Sequence, residues 1–188
     1  KIENNHARRD YAEYYARALR PDYLTRGTDR EIYSFHPVGL PFFGAPVYAL
    51  AGYRGIVMML VLLTAFAATL MWRWTEALTR SAEAATFAWA AVFLSASIIL
   101  HSFTVYPEML AACCVMVALA WNPAPGRDPM TREYLIRGLA VAALPWLSTK
   151  YAPMAAALVL VLALRALSHR RALVALVGPF LASLAGWF

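Results

Sequence analysis

The chain has 188 residues, 61% of them hydrophobic and 15% charged, with a mean hydropathy of +0.52. Soluble domains run near half apolar and a quarter charged, so this composition points away from an ordinary soluble fold and toward a multispanning membrane protein. The net charge of +6 comes from 17 Lys and Arg against 11 Asp and Glu. These arginines cluster in short turns between apolar runs, which is a positive-inside pattern and not a nucleic-acid-binding surface.

Residues 1–35 are polar and read as an extramembrane loop. Within it, residues 10–19 can form a short helix with Tyr11, Tyr14, Tyr15 and Leu19 near one face. That stripe suits either the membrane interface or packing within the loop, and Pro21 ends it. Residues 36–52 are apolar but broken by prolines and glycines, and so read as a half-helix or re-entrant, interfacial segment. From residue 53 to 188 the pattern predicts about six transmembrane helices, near 54–74, 84–100, 107–121, 134–149, 151–164 and 172–188. The expected fold is therefore all-α, a polytopic transmembrane bundle behind an extracytoplasmic N-terminal loop. Small residues four apart, as in Ala82, Thr86 and Ala90 or Ala84 and Ala88, allow close helix packing in lipid. Cys113 and Cys114 are adjacent on one helix, and their side chains diverge too far for an ordinary disulfide. Because the chain starts at Lys1 inside a polar stretch and stops at Phe188 inside an apolar one, a longer protein is expected.

Loop charges set the orientation. Arg73 and Arg80, then Arg127, Arg132 and Arg137, then Arg165, Arg170 and Arg171 occupy turns of one parity, whereas the opposite turns carry Arg54 and Lys150. The arginine-rich turns are expected in the cytoplasm, with residues 1–35 outside. His36, His101, Tyr106, Glu108 and Lys150 then all approach the outer face.

Each of these has a plain structural role available. His36 precedes Pro37 and can cap the following helix. Glu108 follows Pro107 in a first helical turn, where a carboxylate favours the dipole. Lys150 can snorkel to the headgroups. Yet the stretches 84–100, 107–120 and 151–164 contain a single charge, Glu108, and a carboxylate at a membrane edge is costly unless paired or used. No phosphate-binding glycine loop, nucleotide fingerprint, Gly-x-Ser-x-Gly or close histidine pair is present. Base, acid and aromatic groups above an apolar bundle suit a substrate with a phosphate head and a lipid tail.

The run Tyr33-Ser34-Phe35-His36-Pro37-Val38-Gly39-Leu40-Pro41, continuing through Ala45-Pro46-Val47-Tyr48-Ala49-Leu50-Ala51-Gly52, resembles the start of the membrane core of GT-C glycosyltransferases. It is most similar to bacterial members related to protein mannosyltransferases and lipid A aminoarabinose transferase. Tyr106-Pro107-Glu108 and Leu144-Pro145-Trp146-Leu147-Ser148-Thr149-Lys150-Tyr151-Ala152 add segments in the expected order. The resemblance implies an enzyme of the bacterial inner membrane with its active face extracytoplasmic. It implies a polyprenyl-phosphate-linked sugar as donor and a glycan, lipid or protein as acceptor, with no required cofactor and a divalent metal optional. It assigns His36 and Lys150 to the lipid phosphate, with Tyr33 and Tyr106 beside the substrate, and makes Glu108 an orienting or acceptor-binding carboxylate. The family's general-base Asp is expected ahead of Lys1, since Asp10, Glu13, Asp22, Asp29 and Glu31 match no position of the pattern.

Two other functions share the apolar bundle. A lipid transporter or flippase would place its charges nearer mid-membrane at a repeat interface. In a non-catalytic assembly subunit, Glu108 and Lys150 would only cap and anchor.

Overall fold

The computed structural model describes residues 37–120 and 130–186, all within one compact unit. The loop 1–35 with its helix at 10–19, Tyr33, His36 and Arg127 lie outside the described residues. Among the described residues the fold is all-helical. The helices are α1 (Gly39–Thr79), α2 (Ala82–Phe93), α3 (Ala96–Phe103), α4 (Glu108–Ala120), α5 (Thr131–Leu147), α6 (Ala152–Ala166) and α7 (Arg170–Ala185), with a 3₁₀ turn at Thr149–Tyr151.

Local chemistry sets the breaks. Within α1, Gly52 adopts φ 61° and ψ −155°, a conformation open to glycine alone. This divides α1 into a short segment, 39–51, and a long one, 53–79, of about 40 Å. Arg80 closes α1 in the left-handed region, its N–H bonded to the carbonyl of Glu76. Ser81 then caps α2, its hydroxyl accepting from the Ala84 N–H at 3.1 Å. Ser95 repeats the device for α3, and the axes of α2 and α3 differ by 65°. The apolar stretch expected to be one span at 84–100 is thus a bent pair. Glu133 accepts from the Met130 N–H at 2.5 Å at the start of α5, and Pro153 sits in the first turn of α6, where its missing N–H does no harm.

Two helical stretches, Gly39–Thr79 and Thr149–Ala166, are long and apolar enough to cross a membrane, and the bent α2–α3 pair makes a third. The spans expected near 107–121, 134–149 and 172–188 are helices of 13, 17 and 16 residues. The first of these measures about 20 Å, short of a hydrocarbon core of about 30 Å. Large apolar side chains stud the outside, among them Leu50 (90% exposed), Phe87 (77%) and Phe42 (73%). A lipid environment accounts for such a surface where water would not.

α5 is the centre of the bundle, against α1, α4, α6 and α7. Its Val141, Leu144 and Leu147 pack with Leu110 and Ala111 of α4, Ala155 and Leu162 of α6, and Leu176 and Phe180 of α7. α5 and α7 run parallel: Gly138 lies against the Leu176 carbonyl, and Trp146 donates to the Ser183 hydroxyl at 2.7 Å. The same hydroxyl donates to the Ala142 carbonyl at 2.8 Å. Gly39 abuts the backbone of Trp146 and Leu147, which ties the start of α1 to the end of α5. Ile56 and Leu60 cluster with Met109, so the long segment of α1 and α4 start at that same end. Thr86 is exposed on α2, where it accepts a hydrogen bond from the Trp72 indole at 3.1 Å. Gly39 and Gly138 mark two close backbone approaches between helices. Cys113 and Cys114 are both free.

Candidate functional site

α3 ends at Phe103, and Thr104 turns into extended backbone while its hydroxyl donates to the Leu100 carbonyl. Pro107 then starts α4, its carbonyl accepting from the Ala111 N–H at 2.8 Å. Glu108 is the first residue of that helix, where the free N–H groups and the dipole favour a carboxylate. On the facing side, Pro145 lies near the end of α5 and Ser148 is extended at φ −166°. The 3₁₀ turn that follows presents Lys150.

These two elements meet. The Nζ of Lys150 donates to Oε1 of Glu108 at 2.7 Å, linking residues 42 apart in the chain. The pair is half open to its surroundings, with side-chain exposures of 57% for Lys150 and 28% for Glu108. The Lys150 ammonium also lies 5.1 Å from the centre of the Tyr151 ring, within cation–π range. By contrast Oε2 of Glu108 is buried and has no hydrogen-bond partner among the described residues.

His101 flanks the pair, its Nδ1 on the Ser97 carbonyl at 2.7 Å. Its ring meets that of Tyr106 edge-on at 6.3 Å, and it lies within electrostatic reach of Glu108. Tyr106 is exposed. The structure thus brings together Glu108, Lys150, Tyr106 and His101 out of the residues singled out from sequence. Of the others, Tyr33 and His36 lie outside the described residues.

An apolar cavity of about 500 Å³ opens between the start of α1 and the far ends of α5 and α7, lined by Phe42, Phe43, Leu139, Trp146 and Pro179. Trp146 lies four residues before Lys150, at the end of α5, so the cavity and the ion pair share one end of the bundle. Among the described residues no three His, Cys, Asp or Glu side chains come together.

Near the other end lie two buried charged groups, Glu133, for which the sequence suggests no role, and Arg137, which reads there only as a charge beside a turn. Glu133 and Arg137 are both buried in α5, and Arg137 lies 5.6 Å from the Tyr134 ring centre. Their spacing of four residues on one helix is the signal that marks such neighbours. The turns they flank read from sequence only as topology markers.

No protein-family model, no curated protein and no solved structure matches the chain.

Proposed function

We propose that the protein is an integral-membrane glycosyltransferase of the GT-C type, moving a sugar from a polyprenyl-phosphate donor to an acceptor on the extracytoplasmic face. The observation that carries this reading is the divided state of Glu108. One carboxylate oxygen is held by Lys150 at 2.7 Å, and the other is buried with no hydrogen-bond partner among the described residues. A buried acceptor atom left without a donor costs about 1–3 kcal/mol. An acceptor hydroxyl or amine that donates to Oε2 removes that cost and is oriented by doing so.

Lys150 has three N–H donors and gives one to Glu108. With its side chain 57% exposed, the ammonium has donor capacity left to bind the oxygens of a lipid phosphate as charge builds on the departing group. The apolar cavity beside Trp146 offers room for the first isoprene units of the tail. In this scheme Glu108 orients the acceptor, and sugar transfer is direct displacement at the anomeric carbon with the polyprenyl phosphate leaving.

The test is turnover of a radiolabelled polyprenyl-phosphate-linked sugar by reconstituted protein. Glu108→Gln and Lys150→Ala are each expected to lower turnover about 10²-fold, the scale of a lost positioning contact. Folded yield should hold, because a half-exposed ion pair contributes about 0–1 kcal/mol to stability. Turnover unchanged in both variants would remove the pair from the reaction.

A second reading, a non-catalytic assembly subunit, draws on the same pair. Lys150 and Glu108 already satisfy one another, as an anchoring contact would. Loss of extracted protein with specific activity unchanged is the outcome that favours it.

A further inference from the structure

At the opposite end of α5 from Lys150, the starts of α5 and α7 enclose a cavity of about 570 Å³. Arg132, His169, Arg170 and Arg171 line it together with Thr131 and Ser168. Ala172 forms its buried floor. No Asp or Glu pairs with Arg132, Arg170 or Arg171 among the described residues. Guanidinium groups gathered around one cavity repel one another, and a bound anion relieves that repulsion.

We propose that this cavity holds the phosphodiester of an anionic membrane lipid. The planar guanidinium fork matches two phosphate oxygens at once. His169 caps α7 without a side-chain hydrogen bond, so the first N–H groups of that helix remain open to an anion. The volume exceeds what a bare phosphate ion fills and lies within the range of small-molecule sites. Leu167 precedes the lining residue Ser168 and Val174 follows Arg170 by one helical turn; both are exposed, which offers acyl chains apolar surface near the headgroup. Basic pockets of this kind on the arginine-rich side recognise anionic headgroups. The site is independent of any transfer chemistry at Glu108.

The experiment is native mass spectrometry of the protein released from nanodiscs of equal parts phosphatidylglycerol and phosphatidylcholine. Selective retention of phosphatidylglycerol is expected. Arg170→Gln/Arg171→Gln should lower it about thirtyfold, the factor that two basic residues at about 1 kcal/mol each supply. Arg132→Gln, which leaves both arginines of the other turn to hold topology, should lower it about fivefold. Arg73→Gln, outside the cavity, should leave retention unchanged. Equal retention of the two lipids, or undiminished retention in both cavity variants, would overturn the proposal. So would inorganic phosphate binding as tightly as the lipid, since the site would then recognise a soluble anion.

Discussion

The contact between Lys150 and Glu108 joins the start of α4 to the turn after α5, and its worth can be separated from its role. Exchanging the charges, Glu108→Lys with Lys150→Glu, preserves an opposite-sign pair across the 2.7 Å gap. A lysine at the first position of α4 opposes the helix dipole, at about 0.3–1 kcal/mol. The exchanged protein is therefore expected to fold with nearly normal yield yet, under the proposed function, to stay about 10²-fold slow, because the carboxylate proposed to orient the acceptor has moved off α4. Thermal stability and turnover, measured on the same preparation, check this. Recovery of both together would mean that the pair serves only as an anchor. Each residue is legible in the sequence as a charge at the edge of an apolar stretch. Their contact is not, since it depends on the extended backbone at Ser148 and the 3₁₀ turn that aims Lys150. The buried and unpartnered Oε2 is likewise a property of three dimensions alone.

Among the elements, three glycines are constrained, two by close approach to another helix and one by its backbone conformation. A Cβ on Gly138 would stand 2.4 Å from the Leu176 carbonyl oxygen, and one on Gly39 would stand 2.4 Å from that of Trp146. Both partners are backbone, so relief requires α5 to move from α7 or from α1. Gly138→Ala and Gly39→Ala are expected to lose about 1–3 kcal/mol, as overpacked sites do. At Gly52 a Cβ meets nothing within 4 Å, but φ is +61°. Gly52→Ala should cost about 1–3 kcal/mol through backbone strain alone. At Gly178 an added Cβ also meets nothing within 4 Å, and Gly178→Ala should stay within about 1 kcal/mol of the parent. Melting curves in detergent rank the four. Sequence spacing draws attention to the alanines and Thr86 of α2, because small residues four apart are what a pattern can display. A single glycine at a crossing point leaves no such period. The 65° bend between α2 and α3 is hidden for a similar reason: Ser95 restarts a helix inside an unbroken apolar run.

For the whole molecule, the decisive property is that its two ends differ in charge. Glu108, Lys150, Tyr106 and the start of α1 share one end, while Arg132, Arg165, Arg170 and Arg171 lie toward the other. An α5 of 17 residues spans about 25 Å, so the two ends can face different aqueous phases only if the bundle is inserted across a bilayer. Composition and loop charge carry this polarity without any structure, and the folded chain adds which residues meet at each end. By the positive-inside rule the arginine end is expected in the cytoplasm. Single cysteines test the assignment once Cys113 and Cys114 are replaced by serine. With a membrane-impermeant maleimide on sealed, right-side-out cells, cysteines at 106 and 150 are expected to react before lysis, and those at 132 and 170 only after it. Positions 106 and 150 reacting from opposite sides would separate Lys150 from the α3–α4 turn that holds Glu108, and the acceptor site built on that ion pair would have no location. Reaction of all four from one side would make the protein peripheral. The lipid-facing reading of Leu50, Phe87 and Phe42 would then fail with it, because those side chains would need a protein partner in place of acyl chains.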